Sequence, residues 1–550
     1  MKNTFSFKDR KENIHLLKSE EFDLVIIGGG ITGAGMARDA ASRGMKVALI
    51  EQNDFAFGTS SRSSKLIHGG IRYLENLEFH LVFEALSERT KLFEIAPHMV
   101  HPLRFLLPIY RDSRVGMTKL GLGMWLYDAL ALFQAPEMHE RLNAKETLER
   151  LPVLQGKDLS GSYVYSDAYM DDDRLVFETL RSATRWGAVC ANYVAAKNAF
   201  FNEDGKIYKI KASDSFSGGD LEIRGKYFVS SVGPWTDELG SKLFEDWKKI
   251  LRPTKGVHLT FARERLPLSS AVVMAEGQRI VFGIPRHEMV IVGTTDTDFK
   301  GDVSKVKATE EDVRYLLSVA NEYFPGAKLT AKDIIATYAG VRPLVHDGSS
   351  SEGKTSREHT ILHDQRGVTF VAGGKYTTYR LMAQQAVEQI LLKSSIEDRV
   401  RFAKTKTEQP LNPMATVGNL QKAQLLSEKW AISSSLKADE VRLLADRHGM
   451  EAEGLLNYAL QNDLAYWEIE AHQAIEHTMC FNLLDFYTRR TPLFLATPDH
   501  GWGVVRRIAD FFQIKLHWSD SEKAKQIQIV KSFIDSELDW KKAFGAAPNL

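Results

Sequence analysis

The segment DLVIIGGGITGAGMA, residues 23–37, decides the fold of this chain. It predicts an apolar strand that ends at Gly28, followed by a helix that begins near Thr32. Gly28 permits the tight turn, Gly30 lets a pyrophosphate approach the backbone, and Gly33 lets helix and strand pack closely. The N–H groups and the positive end of the helix then favour an anion. The segment therefore predicts a dinucleotide-binding βαβ unit.

A second predicted strand, residues 46–50 (KVALI), ends in Glu51. Glu51 lies 18 residues beyond Gly33, close to the spacing of a ribose-binding carboxylate. Such a carboxylate accepts hydrogen bonds from an adenosine ribose and repels a 2′-phosphate. A βαβ turn without a ligand is the alternative, and the strand–turn–helix context makes it the weaker one.

Composition excludes several classes of function. The 550 residues include 71 basic and 71 acidic side chains, so no net charge favours nucleic acid, and we expect no nucleic-acid partner. Cys190 and Cys480 form no CxxC pair, which excludes an all-cysteine metal site, and we predict no metal. Residues 1–21 lack the apolar core of a signal peptide, and no apolar stretch is long enough to span a bilayer. We therefore expect a cytoplasmic protein.

Later segments supply more strands and a second glycine turn. Continuous or alternating apolar runs predict strands at residues 226–232, 256–261, 289–293 and 368–372. Gly373-Gly374-Lys375 then leads into a predicted helix over 377–393. A second glycine turn that opens a helix late in the chain indicates one dinucleotide site built from distant segments. From about residue 400 the pattern is mostly helical.

Longer motifs carry a family resemblance that extends from about residue 20 to residue 545. Besides the glycine fingerprint they are residues 59–75 (TSSRSSKLIHGGIRYLE), 341–344 (VRPL), 356–359 (SREH), 373–380 (GGKYTTYR) and 485–491 (DFYTRRT). With these motifs the chain resembles the FAD-dependent, quinone-linked glycerol-3-phosphate dehydrogenases.

The resemblance implies an α/β fold with three parts: a Rossmann-like FAD-binding domain, a β-rich substrate (cap) domain and a C-terminal all-helical domain. We expect a lead-in at 1–20, the FAD-binding domain at 21–400 and the helical domain at 401–550. Two β-rich substrate segments, at about 75–225 and 245–345, interrupt the FAD-binding domain.

The family oxidises sn-glycerol 3-phosphate to dihydroxyacetone phosphate, with hydride passing from C2 to N5 of FAD and electrons passing on to a membrane quinone. The resemblance thus implies peripheral attachment to the inner face of the cytoplasmic membrane. A related oxidase uses oxygen and usually carries an extra segment in mid-chain; no obvious insertion is present here, which favours the dehydrogenase. An amine or amino-acid oxidase, or a scaffold that uses FAD without catalysis, remain alternatives.

The cofactor residues implied by the fingerprint and by the family motifs come from four segments. They are Gly28, Gly30, Thr32, Gly33, Glu51, Ser64, Lys65, Leu66, His68, Gly374, Lys375 and Thr378. Serine hydroxyls and backbone N–H groups suit phosphate, and a lysine supplies a point charge.

The substrate residues implied by the resemblance are Arg72, Tyr73, His258, Arg342 and Arg357. Arginine binds a phosphate dianion bidentately and stays charged at any working pH. We assign Arg72 and Arg357 to the phosphate and Arg342 to the reacting alcohol.

Three of these residues have predicted catalytic roles. His258 accepts the C2 hydroxyl proton, Arg342 contacts the alcohol, and Lys375 stabilises negative charge on the reduced flavin. A lone histidine on a strand is more often structural, and His68 is a second candidate base.

Residues 119–133 allow two interpretations. Their apolar side chains form either a core helix, which is favoured, or an interfacial face near a quinone site. The sequence also leaves open a homodimer.

Overall fold

The computed structural model describes residues 5–74, 77–277, 279–346 and 358–545. Within these residues the strands are β1 (Glu21–Ile27), β2 (Val47–Ile50), β3 (Leu66–Ile67), β4 (Val100–Tyr110), β5 (Glu140–Asn143), β6 (Leu159–Met170), β7 (Val189–Ala191), β8 (Val194–Phe201), β9 (Ile207–Asp214), β10 (Asp220–Ser230), β11 (Leu251–Ala262), β12 (Ala271–Glu276), β13 (Arg279–Arg286), β14 (Met289–Gly293), β15 (Thr297–Asp298), β16 (Ile334–Val345), β17 (His359–His363) and β18 (Val368–Gly373).

The helices of the same residues are α1 (Asp9–Ser19), α2 (Ile31–Ser42), α3 (Phe79–Ile95), α4 (Met117–Leu130), α5 (Ala144–Arg150), α6 (Asp172–Arg185), α7 (Thr236–Leu243), α8 (Glu310–Tyr323), α9 (Tyr379–Leu391), α10 (Ile396–Arg401), α11 (Val417–Ile432), α12 (Ala438–His448), α13 (Glu451–Asn462), α14 (Tyr466–His477), α15 (Leu483–Asp485), α16 (Leu493–Ala496), α17 (Val505–Leu516) and α18 (Asp520–Glu537).

The first sheet is the predicted dinucleotide-binding sheet. Its strand order is β17–β18–β10–β1–β2–β7, and β1 pairs in parallel with both β2 and β10. Buried side chains of α2, α6 and α9 cover one face of this sheet. Parallel strands are buried on both faces, which explains the continuous apolar runs that predicted them. Their carboxyl ends meet at the edge where the glycine turn begins.

The N-terminal segment takes part in this sheet's other face, although we expected only a lead-in over residues 1–20. Helix α1 buries Leu17 in the same apolar cluster as Phe22 and Val25 of β1. Its Arg10 forms a buried ion pair with Asp214 at 2.7 Å. Buried contacts rather than apolar periodicity fix α1, which is why its polar sequence gave little signal.

The second sheet is larger and mostly antiparallel, with the order β15–β11–β14–β13–β12–β4–β6–β3 and with β16 on β11. Residues 251–345 contribute the strands β11 to β16 of this sheet. The expected first segment, 75–225, extends too far, because β7 to β10 (residues 189–230) lie in the first sheet. Strand pairing across the chain decides that boundary, and local sequence does not report it.

Helices α11 to α18 form the C-terminal part, in agreement with the predicted helical domain. Their apolar side chains share one core with β11 and β16 of the second sheet and with helix α8. The DFYTRRT motif lies where α15 continues into a π-helical turn, Phe486–Arg490. No helix in the described part of the chain is long and apolar enough to cross a membrane.

Candidate active site

The glycine turn after β1 forms a cradle suited to a pyrophosphate. Gly28 has a φ of +110°, and a Cβ there would lie 2.7 Å from the carbonyl oxygen of Ser231. A Cβ on Gly33 would lie 1.9 Å from the carbonyl oxygen of Gly28. Gly30 is the N-cap residue of α2 and has no side chain of its own, and Oγ of Ser60 accepts the N–H of Ile31 at 2.9 Å. The other N–H groups of the first turn suit an anion at a turn that only glycines can shape.

Glu51 occupies the position expected of a ribose-binding carboxylate. Its Oε2 accepts the N–H of Gly29 at 2.8 Å, and its Oε1 accepts the N–H of Asn53 at 2.8 Å. Burial raises the pKa of Glu51, and the two backbone hydrogen bonds oppose that rise. Each carboxylate oxygen keeps a second lone pair, so the side chain is oriented and still able to accept ribose hydroxyls.

One cavity of about 300 Å³ joins this cradle to the second sheet. Twelve of the predicted site residues line it: Gly28, Gly30, Thr32, Glu51, Ser64, Leu66, His68, Tyr73, His258, Arg342, Gly374 and Lys375. The cavity therefore brings together six segments of the sequence. Its glycine cradle, the N terminus of α2 and the oriented carboxylate of Glu51 fit FAD.

His258 lies on β11 with its imidazole 1% exposed. Its ring stacks on that of Tyr338 of β16, with centroids 4.6 Å apart, and its Nε2 lies 2.9 Å from Oγ of Ser64. Burial lowers the pKa of His258 well below its usual range, and the charges of Arg342 and Lys65 add to this. The imidazole is therefore neutral at pH 7, so one of its two ring nitrogens carries a lone pair.

Arg342 lies on β16 with its guanidinium on the cavity wall. Its Nη1 donates to Oδ1 of Asp296 at 3.0 Å, and its Nη2 donates to Oγ1 of Thr294 at 3.0 Å. On the facing strand, a Cβ at Gly256 would lie 2.5 Å from Nη2. Gly256 therefore makes room for the guanidinium, and the two acceptors orient it.

Lys375 also lines the cavity. It precedes a short 3₁₀ turn that continues into α9, and its Nζ lies 3.8 Å from the ring centroid of Tyr73. The N–H of His68 donates to Oγ1 of Thr377 at 3.2 Å, which ties the loop after β3 to the same turn. The two loops thus form one wall, with a cation beside an aromatic ring.

Lys65 does not line the cavity, contrary to the expected phosphate contact. Its buried ammonium pairs with Asp172 at the start of α6, and its carbonyl accepts the N–H of Met170 at 2.9 Å. Asp172 also accepts the hydroxyl of Ser63 at 2.7 Å. Lys65 therefore anchors the 61–66 loop, because a buried carboxylate competes for its charge.

Four further predicted residues are not among the described residues that line the cavity. Thr378 is buried behind the cavity, where its Oγ1 donates to the carbonyl of Lys375 at 3.4 Å. Arg357 lies outside the described residues, and the side chain of Arg72 is not described. The roles of these two arginines stay predictions. Gly33 does not line the cavity and packs against the carbonyl of Gly28.

Sequence reasoning missed some residues of the cavity. Trp235 lines it and packs on Phe57, with ring centroids 6.2 Å apart. Gly256 and Tyr338 flank Arg342 and His258 as described above. Trp235 follows the parallel strand β10, and ligands bind outside the carboxyl ends of such strands, so that rule offered a signal. Gly256 and Tyr338 gave none, since only the β11–β16 pairing places them.

The fold and the site define a flavoprotein oxidoreductase. Residues 23–380 match the family model described as FAD dependent oxidoreductase, and residues 413–523 match that of the C-terminal domain of alpha-glycerophosphate oxidase. The chain is 35% identical to the aerobic glycerol-3-phosphate dehydrogenase of Bacillus subtilis over 543 residues, which cover 96% of this chain and 97% of the relative. The chain belongs to the family of FAD-dependent glycerol-3-phosphate dehydrogenases and oxidases.

Two other comparisons extend this result. The chain is 33% identical to the alpha-glycerophosphate oxidase of Streptococcus pyogenes, with 97% of this chain and 98% of the relative covered. The glycerol-3-phosphate dehydrogenase of Bacillus halodurans, solved in complex with FAD, is 30% identical with a TM-score of 0.78, and the match covers 98% of this chain and 99% of that one. The predicted family, fold class and FAD cofactor are thus confirmed.

Proposed function

We propose that this enzyme oxidises sn-glycerol 3-phosphate to dihydroxyacetone phosphate and passes the electrons to a quinone. The observation that carries the proposal is the placement of Arg342, His258 and Lys375 on one cavity with the glycine cradle. A phosphomonoester that must lose a hydroxyl proton needs cations and a neutral base at one place. The names of the full-length relatives support the same substrate.

In this proposal His258 accepts the C2 hydroxyl proton on an imidazole that burial keeps neutral. Arg342 holds the substrate through a guanidinium that Asp296 and Thr294 orient. Lys375 places positive charge where the cofactor becomes more negative on reduction. Bound FAD supplies the two-electron hydride acceptor, and the protein supplies alignment and charge.

Anaerobic titration of the holoenzyme tests the substrate. Addition of sn-glycerol 3-phosphate is expected to bleach the flavin absorbance within one turnover, whereas glycine, proline and other amino acids leave the flavin oxidised. Bleaching by an amino acid but not by the phosphate would replace this proposal with an amino-acid oxidase. A non-catalytic FAD scaffold would bleach with neither.

A quinone acceptor is favoured over oxygen by alignment length. The match to the Streptococcus oxidase extends over 608 positions, although this chain has 550 residues, so the oxidase contains residues that this chain lacks. The match to the Bacillus dehydrogenase extends over 543. Turnover with a soluble quinone analogue is expected to exceed oxygen consumption at least about tenfold. Faster oxygen consumption would identify an oxidase.

Peripheral membrane attachment is proposed through the exposed apolar face of α4 and the residues that follow it. Leu122 is 71% exposed and Trp125 59%, while Met124 and Tyr127 on the opposite side are buried. The favoured expectation of a core helix thus holds for one face only. An apolar face with an exposed tryptophan suits the membrane interface.

Sedimentation with anionic phospholipid vesicles tests this attachment. The wild-type holoenzyme is expected to pellet with the vesicles, and the double variant Leu122→Ser/Trp125→Ser is expected to remain in the supernatant. Ile432→Ser, which removes an apolar side chain 89% exposed on α11, provides the matched control. Equal pelleting of both variants would count against the α4 face.

A further inference from the structure

The C-terminal helical domain reaches the cofactor loop through one buried carboxylate. Asp54 lies three residues beyond Glu51, and its side chain is fully buried. Its Oδ2 accepts Nε of Arg489 at 2.9 Å, and its Oδ1 accepts Nη2 of Arg490 at 3.0 Å. Arg490 also donates to Oδ2 through Nη1. Two cations from the DFYTRRT motif therefore meet one anion of the FAD-binding domain.

The local backbone explains how two successive arginines reach one carboxylate. Both lie at the end of the π-helical turn Phe486–Arg490. In addition, Arg490 donates from Nη2 to the carbonyl of Thr478 at 2.9 Å and stacks 3.6 Å from the ring centroid of Phe177. Arg490 thus has contacts with Thr478 and Phe177 that fix its guanidinium, and the fixed guanidinium in turn fixes the carboxylate of Asp54.

The loop that carries Asp54 is part of the FAD site. Glu51 and Phe57, at its two ends, line the cavity, and the N–H of Ala56 donates to the carbonyl of Gly29 in the glycine turn at 3.0 Å. The guanidinium of Arg489 lies 5.6 Å from the ring centroid of Phe57. Contacts that hold Asp54 in place therefore also hold the 51–58 loop, which runs from Glu51 to the cavity-lining Phe57.

We propose that Arg489 and Arg490 are positioning residues for FAD: through Asp54 the C-terminal domain holds the 51–58 loop closed on the adenosine half of the cofactor. Neither arginine lines the cavity, so they act through the loop and not by contact. Asp485 of the same motif also pairs with Arg489, so removal of Asp54 leaves the charge of Arg490 uncompensated, which favours an open loop.

Release of FAD from the diluted holoenzyme, followed as the rise in flavin fluorescence, tests this role. Asp54→Asn and Arg490→Gln are expected to speed release about tenfold or more, with the absorbance spectrum of the bound flavin unchanged. Glu451→Gln is the matched control, because Glu451 pairs with Arg181 across the same domain contact at 2.8 Å but away from the cavity. The proposal would be overturned if FAD left the Asp54 and Arg490 variants at the wild-type rate, or if it left Glu451→Gln as fast as it leaves them.

Hydrogen exchange on the wild-type chain tests the same proposal without a variant that might not fold. Restoring FAD to the stripped enzyme is expected to slow amide exchange in the 51–58 loop and also in Phe486–Arg490, which does not touch the cavity. Protection confined to the 51–58 loop would overturn the coupling.

Discussion

The glycine cradle and the β11–β16 wall of the same cavity are built in different ways. The β11–β16 wall is the side of the cavity that carries His258 and Arg342. The cradle comes from one continuous segment, residues 23–37, and backbone shape makes it. The wall comes from β11 and β16, whose antiparallel pairing sets Thr254 opposite Arg342 and His258 opposite Tyr338. Damage to the cradle should therefore remove the cofactor, whereas damage to the wall should remove turnover and leave the cofactor bound.

The largest effect is expected at Gly33. In Gly33→Ala the new methyl group would lie 1.9 Å from the carbonyl oxygen of Gly28, which is too close for any relaxed packing of α2 on β1. We expect no bound FAD and a large fall in melting temperature, measured from the flavin absorbance and by calorimetry. Gly123→Ala in α4 is the control, since nothing lies within 4 Å of its new Cβ. A yellow, stable Gly33→Ala protein would show that the cradle tolerates a side chain.

Arg342→Ala tests the wall. The loss of a guanidinium that contacts a phosphorylated substrate is expected to lower kcat/KM about a thousandfold, while FAD stays bound. Steady-state kinetics and the flavin spectrum measure the two properties separately. Arg252→Ala is the control, because Arg252 lies on the same strand pair and also pairs with an aspartate, Asp298 at 2.9 Å, but does not line the cavity. Loss of FAD from Arg342→Ala would show that the β11–β16 wall is also needed to bind the cofactor, which would contradict the assignment of cofactor binding to the cradle alone.

This division also explains how much the sequence predicted. Gly28, Gly33 and Glu51 could be assigned from spacing, because a tight turn and a parallel strand end depend on local residues. Lys65 was misplaced because its partner, Asp172, is distant in sequence, and only the fold reveals a buried carboxylate beside it. Gly256 was missed because its role is to leave space for the guanidinium of Arg342 on the neighbouring strand, and only the strand pairing shows that contact.

His258→Gln is expected to have a smaller effect than Arg342→Ala. It keeps a polar side chain but loses the proton acceptor, so flavin reduction by sn-glycerol 3-phosphate should slow about a hundredfold. Anaerobic stopped-flow absorbance at saturating substrate measures that step directly. His68→Gln distinguishes the second candidate base: if it slows reduction as much while His258→Gln does not, the base assignment moves to His68.

The two lysines differ in a way that a pair of variants can separate. Lys375→Met removes a cation from the cavity and should slow flavin reduction about tenfold with little change in stability. Lys65→Met leaves Asp172 buried without its cation and should lower the melting temperature. Flavin reduction and calorimetry on both variants provide the comparison. Equal slowing of reduction by the two substitutions, without loss of stability, would return Lys65 to the catalytic cavity.

The smallest expected effect is an absence of titration at His258. Burial, with Arg342 and Lys65 nearby, holds the pKa of His258 well below 6.5. Its imidazole NMR signal, assigned by difference from His258→Gln, should therefore stay constant between pH 6 and pH 8.

The pKa of His258 is lower in the folded protein than in the unfolded chain. As the pH falls below about 6.5, the unfolded chain therefore binds a proton that the folded protein does not, and the free energy of unfolding decreases. His258→Gln removes this penalty, so its melting temperature should fall less than that of the wild type between pH 7 and pH 5.5. A titration midpoint near 6.5 would mean that the imidazole of His258 is more exposed to solvent, and less affected by the charges of Arg342 and Lys65, than the structure indicates.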